Sequence, residues 1–167
     1  LKPFSEQPFK VVDDDNMTEL VESIKQSGIL SPIIARPHPE GGYEILSGHR
    51  RARACEIAGI TEVPAVVKNL DDDTAIILLV DSNLQREHIL PSEKAKAYEM
   101  KLEAMKRKAG RPSKDNSVQI GQNFTPVDSR KELAEQTGES SVQIQRYIRL
   151  TNLIDTILEM VDTKEIA

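Results

Sequence analysis

Apolar positions along the chain follow two periods. Met17, Leu20, Val21 and Ile24 recur at helical spacing behind the capping candidates Asp14, Asp15 and Asn16, and Gly28 ends the run. The β-rich stretches Leu30–Arg36 and Tyr43–Leu46 flank the turn residues His38–Gly42, which predicts a hairpin. Ala52–Ala58 predicts a helix that stops at Gly59. Val63–Val67 reads as a short strand, placed at a sheet edge because Pro64 has no N–H to donate. Ala75–Leu84, with the apolar run Ile76–Val80, predicts a buried helix. Asp71, Asp72 and Asp73 before it suit a helix cap, with a metal site as the alternative use of the three carboxylates. Lys2–Val12 reads as extended, since Pro3 and Pro8 discourage helix.

The second half carries helical periods only. Pro91-Ser92-Glu93 opens a helix with Ala95, Tyr98, Leu102 and Met105 on one face. Residues 109–128 hold Gly110, Pro112, Gly121 and Pro126 with little apolar periodicity, which predicts a flexible linker or long loop. Ser129 or Asp128 then caps a helix through Thr137, and Ser140 caps another to about Leu150. Leu133, Ala134, Gly138 and Ile144 fall at helix-turn-helix positions. Small Ala134 lets the helices cross closely, Gly138 makes the turn, and Ile144 packs back into the core. A last amphipathic helix spans about Ile154–Val161. The pattern predicts an α+β chain: an α/β domain at residues 1–90 and an all-helical domain at 91–167, with the helix-turn-helix at about 129–150.

The 167 residues can hold one domain or two small ones, and 38% apolar content supports a modest core. No apolar run reaches the ~20 residues of a membrane span, and no signal peptide is visible. These features predict a soluble, cytoplasmic protein with no membrane partner. The single Cys55 has no internal disulfide partner and reads as a small core residue. The chain begins at Leu1 rather than Met, which suggests a fragment of a longer protein. The net charge of −5 masks an asymmetry. Residues 91–150 hold 12 Lys/Arg against 8 Asp/Glu, a local +4, whereas the remainder holds 10 against 19, or −9. The basic share therefore lies where the helix-turn-helix pattern lies.

Two stretches carry candidate chemistry. Ser47-Gly48-His49-Arg50-Arg51-Ala52-Arg53 sits where a strand turns into a helix. The first N–H groups of a helix lack internal partners and the dipole adds partial positive charge, so such a start binds phosphate. Gly48 permits close approach, and Arg50 and Arg51 add forked donors. A capped helix with solvated arginines is the alternative reading. In the second stretch, Ser140 caps a helix whose exposed side carries Ser141, Gln143, Gln145, Arg146 and Arg149. Gln reads adenine edges, and Arg reads guanine or holds phosphate. An ordinary helical hairpin is the alternative. Lys106–Pro112 resembles an AT-hook, but Ala109 replaces the first arginine of its R-G-R-P core, and a solvated basic helix end explains the stretch more simply.

Four ordered stretches covering about residues 8–160 resemble the ParB/Noc partition proteins. Gly48-His49-Arg50-Arg51-Ala52-Arg53-Ala54 resembles their G-E-R-R-x-R-A box. Gly28-Ile29-Leu30-Ser31-Pro32-Ile33-Ile34-Ala35-Arg36 resembles their G-L-x-x-P-I-x-V-R box. Asn83-Leu84-Gln85-Arg86-Glu87 with Pro91 resembles their E-N-L-Q-R-E-x-x-x-P box, and a helix-turn-helix follows. The resemblance implies a ParB/sulfiredoxin-like N-terminal α/β domain followed by an all-helical helix-turn-helix domain. It implies CTP and Mg²⁺ as cofactors, a palindromic centromere-like site in double-stranded DNA, and a ParA-type ATPase as partner. It further implies a nucleotide-closed DNA clamp acting in chromosome or plasmid segregation, in the cytoplasm on the nucleoid or a plasmid. A homodimer would form through a C-terminal segment beyond Ala167. Position by position, Gly48, Arg50 and Arg51 would hold the triphosphate with Ser47, His49 and Gln85 as neighbours. Asn83 would help place the Mg²⁺-bound phosphates.

Two departures bear on hydrolysis. His49 and Ser82 stand where the family has Glu, next to the implied metal and γ-phosphate. This implies slow CTP hydrolysis, or a DNA-binding regulator or adaptor with an inactive nucleotide pocket. A sulfiredoxin-like enzyme would need a nucleophilic Cys where Gly48 stands. A nuclease would need clustered carboxylates or a His–metal site, and His38, His49 and His88 lack ligand spacing.

Overall fold

The computed structural model describes residues 1–86, 88–110 and 129–166. Most of the stretch read as a linker, and Arg111-Pro112 of the AT-hook-like segment, therefore lie outside the described residues. The chain divides into two compact units, Leu1–Asn83 and Leu84–Ala167, whereas the sequence reading places the boundary after residue 90.

The first unit is mixed α/β. Its four strands, β1 (Lys2–Pro3), β2 (Ile33–Pro37), β3 (Tyr43–Ser47) and β4 (Ala65–Val67), form one sheet in the order β1-β3-β2-β4. The β2–β3 hairpin is antiparallel, and both edge strands run parallel to their neighbours. Gly41 and Gly42 adopt φ values of 92° and 82° at the hairpin turn, a backbone region that L side chains resist. Strand β4 is an edge, as expected, but it starts at Ala65 rather than Val63, with Pro64 just outside it. Strand β2 starts at Ile33 rather than Leu30, which is 87% exposed. Pro32 offers no ladder donor, and the Ser31 and Pro32 carbonyls are held by Arg51 instead.

Helices α1 (Asp15–Ser27), α2 (His49–Ile57) and α3 (Asp72–Leu84) complete this unit apart from Leu84. Asp14 caps α1, its Oδ1 accepting the Met17 N–H at 2.9 Å. Met17, Val21 and Ile24 of α1 pack with Ala54 and Cys55 of α2 in one apolar cluster. Cys55 is thus the small core residue expected, although its neighbour Ile57 is 46% exposed. Burial pushes the Cys55 thiol above its ordinary pKa. The N-terminal segment pairs only at Lys2–Pro3 and places Phe4 and Phe9 in the core.

Asp71 caps α3, accepting the Thr74 N–H at 2.9 Å, and Asp72 pairs with Arg36 at 2.8 Å. The acidic run therefore serves as a cap and an ion-pair partner. Arg36 is itself buried. Its Nε donates to Glu44 directly opposite on β3, its Nη1 donates to the Leu70 carbonyl at 3.2 Å, and its guanidinium lies 5.6 Å from the Phe4 ring centre.

In the second unit α4 (Pro91–Gly110) is the helix on which α5 (Ser129–Thr137), α6 (Ser141–Leu150) and α7 (Asp155–Asp162) all pack. Ala95, Tyr98, Leu102 and Met105 of α4 are buried as predicted, and so are Ala97, Met100 and Ala104. A helix contacted by three others needs more than one apolar stripe. Leu133 of α5 and Ile144 of α6 are fully buried. Among the described residues, no helix is long and apolar enough to cross a membrane.

Candidate functional site

The strand-to-helix turn forms three residues earlier than the sequence periodicity shows. Gly48 takes φ 96° and ψ 25°, a left-handed conformation that turns the chain at once from β3 into α2. His49, Arg50 and Arg51 consequently form the first helical turn. No side chain caps this start, and it carries no acidic residue. Its leading N–H groups and the positive end of its dipole meet no carboxylate of their own helix, the electrostatics that favour an anion.

The arginines differ in what holds them. Arg51 Nη1 donates to the carbonyls of Ser31 and of Pro32, the latter at 2.9 Å. Its guanidinium lies against Gly48: a Cβ there would meet Nη2 at 3.1 Å. Arg50 Nη2 sits 3.2 Å from Asp14 Oδ1. Arg53 forks onto Asp13 at 2.7 Å and onto Glu56 at 3.1 Å. The Arg53 contact holds the Asp13 carboxyl below its ordinary pKa. The Met17 N–H, and secondarily Arg50, do the same for Asp14.

Ser47 ends β3, and His49 is 5% exposed. His49 lines a cavity of about 1060 Å³ together with Ala52, Cys55 and Glu56 of α2 and Ala35 and Ile45 of the sheet. Arg50, Arg51 and Asn83 do not line it. Asn83 is buried near the end of α3, where its amide donates to the Leu79 carbonyl at 2.8 Å and to Ser82 Oγ at 3.3 Å. Gln85 belongs to the second unit. The structure thus groups Ser47, Gly48, His49, Arg50 and Arg51 at one turn, and it adds Asp14, Ser31 and Pro32, which sequence reasoning missed. The Gly28–Arg36 stretch has a recognisable pattern, but nothing in it marks its carbonyls as acceptors for Arg51. Among the described residues, no group of three His, Cys, Asp or Glu could hold a metal ion.

In the second unit Gly138 turns between α5 and α6 at φ 71°. Ser140 Oγ accepts the Gln143 N–H at 3.1 Å and caps α6. Lys94 pairs with Glu139 beside the turn and lies 4.8 Å from the Tyr147 ring centre. Tyr147 packs edge-on to Tyr98 at 5.9 Å, and burial, aided by Glu139, raises the Tyr98 hydroxyl pKa well above its ordinary value. Ser141, Val142, Arg146 and Arg149 are exposed on α6, as is the cap Ser140, whereas Gln143 and Gln145 are half-buried. Val142 is 60% exposed on this face. Sequence reasoning looks there for hydrogen-bonding groups and passes over it.

An α/β unit with a glycine-led arginine helix, followed by a helical unit built on a helix-turn-helix, defines a two-part architecture in which an anion-suited turn precedes a candidate nucleic-acid face. The chain belongs to the ParB family: a model of the ParB N-terminal domain matches residues 1–84. The chain is 34% identical over 160 residues to a probable chromosome-partitioning protein ParB of Neisseria meningitidis, covering 96% of this chain and 49% of that protein. It is 33% identical over 161 residues to a nucleoid occlusion protein of Listeria innocua, with coverage of 96% and 49%. It therefore spans about half the length of the curated relatives it matches. Its backbone is similar to that of C-terminally truncated ParB from Caulobacter crescentus complexed to the centromeric parS site. The TM-score is 0.59 at 25% identity, over 99% of this chain and 75% of that one.

Proposed function

We propose that this chain is the nucleotide- and DNA-binding part of a partition protein, a CTP-dependent clamp that recognises a centromere-like site in double-stranded DNA. The observation that carries the reading is the start of α2, where Gly48 leaves the helix uncapped and Arg50 and Arg51 stand in its first turn. A triphosphate there would accept from the leading N–H groups and from Arg50 once that side chain exchanges Asp14 for phosphate. Arg51 would act from its remaining donors while it keeps the Ser31–Pro32 segment in place. Of the residues at the turn, His49 lines the cavity beside α2, and a nucleoside would be accommodated on that side. Gly48, Ser47 and Asn83 complete the proposed nucleotide set within the first unit.

The donor set fits Mg²⁺ only as an ion carried on the phosphates, since no carboxylate cluster is present among the described residues. When bound it would offset phosphate charge. Asn83 Oδ1 is the proposed protein contact, because the amide nitrogen is committed within α3. A ParA-type ATPase partner, a homodimer and nucleoid or plasmid association belong to the same proposal through family membership.

Ser140, Ser141, Gln143, Gln145, Arg146 and Arg149 are the proposed DNA contacts. The exposed arginines suit phosphate or guanine, and the half-buried glutamines have less reach. A second reading rests on His49 and Ser82. Buried His49 supplies no carboxylate to orient water, and neither does exposed Ser82, whose Oγ donates to the Leu79 carbonyl at 3.0 Å. CTP hydrolysis is therefore proposed to be slow, and an adaptor with an inactive pocket is the limiting case. Retention on site-bearing DNA through a high-salt wash separates the two. The clamp retains DNA only with CTP, and the adaptor washes off equally with and without it.

A further inference from the structure

The face of α6 that points to solvent carries an apolar side chain in its first turn. Val142, Arg146 and Arg149 stand at i, i+4 and i+7, which places them on one side of the helix, while fully buried Ile144 points the other way. Val142 is 60% exposed in the first turn of α6, directly after the Ser140 cap. Ile144 and Leu133 already fill the core between α5 and α6, so Val142 adds nothing to folding that its burial would supply. A β-branched residue is also a mediocre helix former at an exposed site. Its neighbours on the face are cations and polar groups that suit phosphate and base edges. The one base-edge group that an aliphatic side chain recognises is the C5-methyl of thymine in the major groove.

Resting on the reading of α6 as a DNA-reading helix, we infer that Val142 is a specificity-determining residue that selects thymine at one position of the bound site by packing on its C5-methyl. Arg146 and Arg149, further along the same face, hold the backbone or neighbouring guanines and set the register. Discrimination of this kind comes from burying one methyl group and is worth a factor of about four, smaller than a bidentate arginine contact.

The test uses the full chain. A randomised pool of double-stranded DNA is taken through rounds of binding, and each thymine of the enriched site is then replaced singly by deoxyuridine, which removes only the methyl. The expected result is one position at which deoxyuridine weakens binding about 3- to 5-fold, with that difference abolished in Val142→Ala. Val142→Ala changes an exposed side chain and keeps helix propensity, so loss of folding does not confuse the readout. An enriched site without any methyl-sensitive thymine overturns the inference, as does a Val142→Ala variant that keeps the full sensitivity. A pool in which no sequence is enriched overturns the reading of α6 itself and removes the role of Val142 with it.

Discussion

Asp14 Oδ1 lies 3.2 Å from Nη2 of Arg50 and also accepts the Met17 N–H at 2.9 Å. One carboxylate thus caps α1 and occupies the arginine proposed to take a phosphate. Asp14→Asn keeps a good N-cap while removing the charge, whereas Asp14→Ala removes both. The alanine variant should melt at lower temperature than the asparagine variant, and the asparagine variant should bind inorganic triphosphate more tightly than wild type. Thermal unfolding followed by circular dichroism and calorimetric titration read the two effects.

The Asp14 carboxyl titrates below its ordinary value when folded. The stability it contributes is therefore complete above about pH 4, where an unfolded Asp is ionised. It is lost as pH falls through the lower folded value. Wild type minus Asp14→Asn should accordingly give a stability difference that is constant from pH 5 to 8, by the same linkage, and shrinks below roughly pH 4. Urea titrations across that range check it.

Arg36 and Glu44 face each other across the hairpin, both nearly inaccessible. Arg36→Ala leaves Glu44 buried without its cation and should cost about 3–5 kcal/mol. Exchanging both for apolar residues should recover most of that, short of the Leu70 and Asp72 contacts that Arg36 also makes. Equilibrium urea unfolding of the single and double variants measures both.

Gly48→Ala forces an L residue into φ 96° and brings a methyl to 3.1 Å from Arg51. A stability loss of about 1–2 kcal/mol is expected from the backbone alone. Nucleotide binding should weaken by more than that loss accounts for, because Arg51 and the first turn shift together. Comparing the urea midpoint with a calorimetric Kd separates the two.

Much of this was legible beforehand, for identifiable reasons. Helix α1, the hairpin and α6 rest on local signals: the Asp14 cap, the Gly41-Gly42 turn and the Ser140 cap with Ile144. Glycine and arginines in one short stretch marked the turn as chemical. What stayed hidden is non-local. The polar first turn of α2 carries no apolar period, so its start at His49 depends on the Gly48 conformation. The partners of Arg36, Arg50 and Arg51 are far away in sequence. The exposure of Val142 is likewise a property of the folded helix pair, with no local sequence signal.

The helix-turn-helix gives a contrast between core and surface. Ile144→Ala should destabilise the second unit by about 2–5 kcal/mol. Arg149→Ala should leave stability within about 0.5 kcal/mol. Arg149→Ala should nevertheless weaken DNA binding and reduce its salt dependence by about one phosphate contact. Fluorescence anisotropy at several salt concentrations, beside urea unfolding, distinguishes them.

The start of α2 is proposed to hold the triphosphate of a nucleotide. Calorimetric titration with CTP, ATP, GTP and UTP in Mg²⁺, on wild type and Arg50→Ala, tests it most directly. Selective CTP binding by wild type, lost or strongly weakened in Arg50→Ala, is the predicted result. Absence of binding to every nucleotide, with DNA present as well, or CTP binding unchanged in Arg50→Ala, would contradict it.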